Sequence, residues 1–488
     1  MFIFILAGAF YFVCRHAYYV GFFNDDAFYI IGARSLLHGR FLELNQPGHP
    51  PLVEYLPGFP FLLAPWVWLF PAATQPYQIF SLLMALLSLA IFWSFLKDTA
   101  SFPIAVIALA IAGLNPLMVS LSAQVLSDIP YLLFSLAALE VGRRMWDSKD
   151  RRSWFFLAVL TCASYCIRPV GMAIGISFCA ALGIERRWRE LAYFSLFLAL
   201  LAAPFATQQT LRKLNEVGTT YGNQYFDRDA LRGFVENGNY YLNEIFIRNL
   251  FRWPLNLKFL NFTTLLFCSL STGFGFCWFK MDGWKKVLPL YLILYSAVHI
   301  VWSKQSGRYV YPIFPFAVFF FLNGMDHIRR NLKIRSLLIY GMAALIVFCY
   351  VGPLAKILQA SLTLHTPLNS PPERTYQWVR ANTKISDIFV TELDGRFFLY
   401  TGRQVFHLPK IFEADRLSAW ILERKINFIL LDRAPAVMKT RRGNTPNDPY
   451  PFQRLEQIVR NERVFEEVFR DDGEGLALYR VVQNKPNP

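Results

Sequence analysis

Apolar runs of roughly bilayer-spanning length alternate with short polar stretches as far as about residue 353. They fall near residues 2–22, 76–96, 102–120, 128–146, 153–168, 170–184, 190–207, 259–279, 286–302, 309–325 and 335–353. A helix needs about 20 apolar residues to cross the hydrocarbon layer. Within that layer every backbone polar group must find its partner inside the segment or a neighbour. The pattern predicts an all-α polytopic membrane domain over residues 1–365 with about eleven transmembrane helices, the pair 153–168 and 170–184 being short. Met1–Cys14 is also short for a span. Either that helix runs on to Phe23 past Arg15 and His16, or the true start lies upstream. No basic segment precedes the apolar run, which argues against a cleaved signal peptide.

Two connections are long. Residues 23–75 hold the string Asn24-Asp25-Asp26-Ala27-Phe28-Tyr29, a short amphipathic stretch from Ile30 to His38 and a turn at His49-Pro50-Pro51. The Pro-punctuated apolar piece Leu56–Pro71 is too broken for a span and predicts a re-entrant or interfacial helix. Residues 208–258 carry Tyr221, Tyr225, Tyr240 and Tyr241 and suit a lid, although an interfacial aromatic belt explains them equally. From residue 366 the pattern changes. After the linker Ser370-Pro371-Pro372, strand-like runs at 388–391, 428–431 and 476–482 alternate with helix-like segments at 373–382, 414–425 and 452–463. That alternation predicts a small C-terminal α/β domain over 366–488. It contains no glycine-rich phosphate loop, so a structural or acceptor-docking role is expected.

Composition sharpens this reading. Charged residues make up 17% of 488 and hydrophobic residues 55%, against about 25% charge in soluble domains. The net charge is +15, yet residues 366–488 contribute only +3, with 19 Lys and Arg against 16 Asp and Glu. The remainder collects in short loops. Lys97, Arg143–Arg152, Arg186–Arg189, Lys280–Lys286 and Arg329–Arg335 supply 16 cations to alternate connections, while the opposite short loops carry Arg168, Lys304 and Arg308. This is the positive-inside distribution. It places the N-terminus inside and Asp25, Asp26 and the C-terminal domain outside, and it removes the need for nucleic acid as a partner. The seven cysteines lie in apolar segments without disulfide or zinc spacing. Cys162 and Cys166 share a helix face as small buried hydrophobes.

Ionisable residues at a membrane boundary are costly to hold there and are functional candidates by default. Asp25 and Asp26 lead that group, with helix capping as the plain alternative for one of them. Asp128 is a second acid at the outer start of a span. It could position an acceptor or, with Asp25, hold a divalent cation. Asp227-Arg228-Asp229 has the Asp-x-Asp form of metal sites but sits in a polar loop where chance accounts for it. His299, alone in an apolar span, reads as a hydrogen-bonded packing residue.

Four local patterns resemble the GT-C glycosyltransferases, in particular the protein O-mannosyltransferase and aminoarabinose transferase branch. Asn24–Tyr29 followed by Gly32–Leu37 is similar to the Asp-Glu-x-x-Tyr motif of that branch, with Asp26 standing where the family has Glu. His49-Pro50-Pro51-Leu52 with Tyr55-Leu56 resembles its Pro-Pro-Leu turn. Arg168-Pro169-Val170-Gly171 resembles an Arg-Pro-x-Gly element, and Gly307-Arg308-Tyr309 with Pro312 and Pro315 an Arg-Tyr-x-x-Pro element. The resemblance implies sugar transfer from a polyprenyl-phosphate-linked donor to a hydroxyl of a protein, lipid or glycan on the outer face of a bacterial inner membrane. Direct displacement with inversion follows from a single base.

In that chemistry Asp25 and Asp26 are the catalytic candidates, Asp25 as general base. Arg308, with Lys304, Arg168 and Tyr309, is the candidate set for the donor phosphate; snorkelling to headgroups is the alternative for Arg308. Tyr29, His49 and Asp128 are further substrate contacts. No cofactor is required, and a divalent metal is an option. The rival class is a transporter or flippase of lipid-linked sugars, which ordinarily shows internal repeats; none is visible here.

Overall fold

The computed structural model describes residues 2–215, 230–252, 258–279, 282–302, 305–333, 336–363, 366, 369–409, 414–432, 456, 459 and 464–482. The described chain is mainly helical with one five-stranded sheet. It divides into two units: residues 1–17, 56–62 and 75–362, and residues 18–55, 63–74 and 363–488.

Among the described residues of the larger unit four helices are long and apolar enough to cross a membrane: Gln75–Thr99, Trp188–Thr207, Gly283–Val301 and Leu337–Leu362. A fifth span results if the bent pair Phe102–Gly113 and Pro116–Ser122 is counted as one. The figure of eleven is therefore met only in part. Asp128–Met145 and Phe314–Asn331 form as helices over two further runs, but both continue into charged ends, at Glu140, Arg143 and Arg144 and at Asp326, Arg329 and Arg330. The helices Arg151–Ile167 and Met172–Ile184 have 17 and 13 residues and are short for a span.

The run 102–120 is broken where a single helix was expected, with a bend of 55°. Pro116 cannot donate a backbone hydrogen bond, so the helix restarts there. Asn115 caps the restart by accepting from Leu117 N at 2.9 Å, and its amide donates to Asn249 O at 2.8 Å. That carbonyl lies in a nine-residue π-helical stretch, Asn243–Phe251, and also accepts from the Tyr350 hydroxyl at 2.8 Å. The Cys162 and Cys166 sulfurs are 3.9 Å apart, buried and not joined by a disulfide.

Helices Lys258–Trp278 and Phe314–Asn331 cross through small residues. A Cβ on Gly324 would collide with the Ser271 carbonyl oxygen, and one on Gly275 with that of Phe320. Close crossings of this kind are a main source of helix association where lipid removes the hydrophobic drive. Gly324→Ala is expected to cost about 1–3 kcal/mol by overpacking. Thermal unfolding in detergent checks this, with Gly273→Ala as the control because its Cβ meets nothing within 4 Å.

In the smaller unit the sheet has the order β2-β1-β3-β5-β4. Its strands are β1 Phe389–Thr391, β2 Val405–His407, β3 Phe428–Asp432, β4 Phe465–Asp471 and β5 Leu476–Val481. β1 pairs parallel with β2 and β3, while β3–β5 and β5–β4 are antiparallel. Both faces are covered. Phe389, Phe428, Leu430 and Leu478 pack with Tyr376 and Phe397 on one side; Val390, Ile429, Leu431 and Tyr479 pack with Leu417 and Ile421 on the other. Burial on both faces explains why β3 reads as a continuous apolar run.

Residues 18–55 form part of this same unit. Asp25–Leu37 is a helix with nine of its 13 residues buried. The amphipathic expectation for Ile30–His38 is corrected by that burial. Phe28 and Ile31 pack with Phe41, Leu52 and Phe398, so the stretch has no broad water-facing side. Gly58–Leu69 is helical, as its apolar run predicts.

Candidate active site

The predicted residues fall into two groups, one in each unit. In the smaller unit, Asp25 and Asp26 open the helix Asp25–Leu37, where free backbone N–H groups and the helix dipole favour negative charge. Their environments differ. Asp26 is 1% exposed. Its Oδ2 accepts from Gly21 N at 2.6 Å and its Oδ1 from Ala27 N at 3.2 Å. Gly21 has φ +98°, a conformation that favours glycine, and a Cβ there would come within 3.1 Å of Arg396 Cγ. Asp26 therefore fixes the loop before the helix. Asp25 is half-buried, and its Oδ1 accepts from the Tyr55 hydroxyl at 3.0 Å. Tyr55 stacks on Phe28 and meets Tyr29 edge to face. Asp25 is thus the accessible member of the pair.

Tyr29 is 8% exposed and acts as a packing wall for Tyr55. His49 is exposed at φ +47° in the turn closed by its N–H to Gln46 O at 3.1 Å.

Several residues that the sequence did not single out hold this region. Asn24, at φ 62°, makes no cap bond to its own helix. Its Oδ1 accepts from Arg396 N at 2.9 Å and its Nδ2 donates to Asp394 Oδ1 at 3.1 Å. Asp394 Oδ2 accepts from Asn45 Nδ2 at 3.1 Å. The buried Arg396 donates to the Tyr19 hydroxyl at 2.8 Å and pairs with Asp432 at 3.0 Å. Tyr400 donates to Val20 O at 2.6 Å.

His407 Nδ1 lies 3.3 Å from Asp394 Oδ1. Hydrogen bonding to Asp394 is the largest influence and raises the imidazole pKa above its ordinary value; burial opposes it, and the Asp394, Glu392 and Glu54 carboxylates add to the rise. Stability gained this way is complete below the unfolded pKa of about 6.5 and disappears as pH climbs through the raised folded value. The side chain is 59% exposed, so solvent screens the effect. The native protein is expected to lose a little melting temperature as pH rises above about 6.5, and His407→Gln to flatten that loss, as measured by thermal unfolding at stepped pH.

The second group lies in the larger unit. Arg168 follows the helix Arg151–Ile167, and its Nη1 stands 2.8 Å from Asp128 Oδ1. Asp128 is 1% exposed, and neither of its oxygens has a well-aligned hydrogen bond, so the pair is held by charge. Arg168 Nε also donates to Ser127 Oγ at 3.1 Å. The Tyr309 ring lies under both guanidiniums, 5.2 Å from Arg168 and 5.5 Å from Arg308, and stacks on Trp302. Arg308 is half-buried in the short helical turn Gly307–Val310. Glu244, buried and paired with Arg248 at 2.6 Å, packs on Gly307, where a Cβ would come to 2.5 Å of Oε2. His299 Nδ1 donates to Tyr295 O at 2.9 Å, and its ring stacks on the Tyr295 ring. Lys304, Tyr221, Tyr225 and Asp227–Asp229 lie outside the described residues; Tyr240 and Tyr241 belong to the helix Ala230–Leu242.

Arg168, Arg308 and Tyr309 thus come together, and Asp128 joins them as the counter-ion of Arg168. Among the described residues no group of three or more His, Cys, Asp and Glu side chains stands close enough to hold a metal ion.

Comparison with known proteins bears on the fold. Residues 48–208 match the family described as dolichyl-phosphate-mannose-protein mannosyltransferase. No curated protein matches the chain in sequence. Among solved structures it is similar to ArnT from Cupriavidus metallidurans in the apo state (TM-score 0.60, 11% identity), covering 98% of this chain and 97% of that one. The same enzyme bound to undecaprenyl phosphate gives a TM-score of 0.57 at 11% identity and the same coverage. The oligosaccharyltransferase AglB from Archaeoglobus fulgidus, in complex with an inhibitory peptide and a dolichol-phosphate, gives 0.53 at 11% identity, covering 88% of this chain and 68% of that one. The chain therefore shares its fold with ArnT and AglB, and residues 48–208 carry the signature of the mannosyltransferase family.

Proposed function

We propose that this protein transfers one sugar from a polyprenyl-phosphate-linked donor to a hydroxyl acceptor at the outer face of a bacterial inner membrane, with inversion. The observation that carries the reading is the division of labour between the two adjacent acids. Asp26 is buried and committed to the backbone, whereas Asp25 is half-buried with a tyrosine hydroxyl on one oxygen. A carboxylate held in that way is suited to general-base work, which is worth about 10²–10⁴ in rate. Asp25 takes the proton of the acceptor hydroxyl as the new bond to the anomeric carbon forms and the bond to the phosphate oxygen breaks. The electron pair leaves with the polyprenyl phosphate.

Arg308 supplies fixed positive charge to that phosphate, and Tyr309 holds the guanidinium by its ring. Arg168 takes a secondary part because Asp128 already neutralises it. Two of the similar structures hold undecaprenyl phosphate and a dolichol-phosphate, which supports the donor class. Membrane lipids surround a domain in which the shorter apolar runs join the four long helices, giving about eleven spans. The C-terminal α/β segment 366–488 lies outside. The acceptor is a protein, lipid or glycan hydroxyl, the sugar a hexose or pentose, and the chemistry needs no cofactor.

The test is incubation of the purified protein with a panel of radiolabelled undecaprenyl-phosphate hexoses and pentoses. Time-dependent release or transfer of one sugar supports the reading. Movement of intact donor across sealed vesicles, without cleavage, would instead support a flippase.

A further inference from the structure

The acids at 25 and 26 are preceded by a residue whose conformation needs an explanation. Asn24 adopts φ 62°, unusual for any residue with a Cβ. The turn it closes is tight: Asn24 N donates to Gly21 O at 3.1 Å and Asp25 N to Phe23 O at 2.7 Å. A side chain at the start of a helix normally returns to cap that helix. This one does not. Both ends of its amide go to the opening of another helix, Asp394–Thr401, lying some 370 residues away in sequence.

We infer that Asp394 is a positioning residue for the reaction: through Asn24 it sets where the Asp25 carboxylate points. Three observations carry this. Asp394 is 1% exposed; its Oδ1 accepts from Asn24 and also faces His407 Nδ1 at 3.3 Å, and its Oδ2 accepts from Asn45, so the buried carboxylate ties both halves of the first loop to one point. The backbone N–H of Arg396, two residues on, takes the amide oxygen of Asn24, so the side chain is held at both ends and its rotation is fixed. The loop before Asn24 is gripped by the same helix, with Arg396 on Tyr19 and Tyr400 on Val20 O. Asp25 is the next residue after this double anchor. The role assigned to Asp394 rests on the proposed role of Asp25.

A base must be held within a fraction of an ångström of its productive position, and small misplacements cost about 10²-fold in rate. Asn24→Gly separates the clamp from the turn. Glycine accepts φ 62° without strain but makes neither side-chain bond. With a radiolabelled undecaprenyl-phosphate sugar, Asn24→Gly and Asp394→Asn are expected to lower kcat by about 10- to 100-fold. KM for donor and acceptor should stay within about threefold, since neither residue is assigned to substrate binding. The exchange Asn24→Asp with Asp394→Asn rebuilds the pair with donor and acceptor reversed, and the carboxylate introduced at position 24 still accepts from Arg396 N. It should recover kcat to within several-fold of the native protein at mildly alkaline pH. Activity is expressed per folded molecule, so a variant that folds poorly is still read, and the exchange carries the test if both single variants do. Native kcat in Asn24→Gly, a loss confined to KM, or an exchange no better than the single variants would overturn the inference. Asp25→Asn, run beside them, separates the two claims: if it transfers at the native rate, the role of Asp25 fails first.

Discussion

Asp25→Asn will lower sugar transfer by about two to four orders of magnitude, the range that general-base assistance spans, while the protein remains folded. Asparagine keeps the shape of the side chain and an oxygen able to accept from the Tyr55 hydroxyl, 3.0 Å away in the native protein. What it loses is the capacity to take a proton. Asp26→Asn should behave in the opposite way. Its carboxylate is buried and accepts a 2.6 Å bond from Gly21 N. Neutralising it weakens a charge-assisted bond worth about 1.5–3 kcal/mol. The main effect is then a lower melting temperature, with transfer per folded molecule retained in large part. Side-by-side assay and thermal unfolding of the two variants distinguish a reacting acid from a supporting one.

Arg308→Ala is expected to produce the second large loss, about 10²–10³ in rate, the size found when one preorganised electrostatic contact is removed from a reacting centre. Lysine in its place should recover only part, because an ammonium cannot form the two parallel bonds that a guanidinium offers to phosphate. Arg168 supplies the contrast. Its guanidinium faces a carboxylate that is 1% exposed. Arg168→Ala strips Asp128 of that ion pair, and removing one partner of a buried pair costs about 3–5 kcal/mol. The loss should therefore appear as poor folding. Replacing both members, Arg168→Met with Asp128→Leu, should restore folded yield, since a buried pair exchanged whole for apolar groups is often near neutral. Rate per folded molecule and melting temperature, measured for each variant, separate the two arginines.

Much of the local architecture was legible. The strand runs at 388–391, 428–431 and 476–482 and the helix at 373–382 formed as their patterns predict, because two-sided burial leaves an unmistakable apolar string. The acids at 25 and 26 sit at a helix start, as capping chemistry predicts. Other features also carry a local signal. Asn115-Pro116 marks the break in the run 102–120. β4 was missed because Phe465–Asp471 is interspersed with Glu466, Glu467 and Arg470 at the edge of the sheet, where charge is tolerated.

What the sequence could not disclose were its long-range partners. Asn24 and Asp394, and Arg168 and Asp128, pair across 370 and 40 residues. No periodicity links such positions, because their meeting is set by tertiary packing and not by local spacing. By sequence Asp128 and Arg168 accordingly read as residues with separate roles, whereas each is the other's counter-ion. The same blindness hid the contact between residues 18–55 and the C-terminal segment, which belong to one unit. The span count suffered differently. Helices such as Phe314–Asn331 run beyond their apolar stretch into Asp326, Arg329 and Arg330, so length alone does not identify the part inside lipid.

The central claim is that Asp25 removes the acceptor proton as the sugar leaves its lipid phosphate. Single-turnover transfer from a saturating radiolabelled undecaprenyl-phosphate sugar, native protein against Asp25→Asn, tests it most directly. The account predicts donor binding within about threefold of native and a transfer rate reduced by at least about 10²-fold. Transfer by Asp25→Asn at the native rate would contradict it.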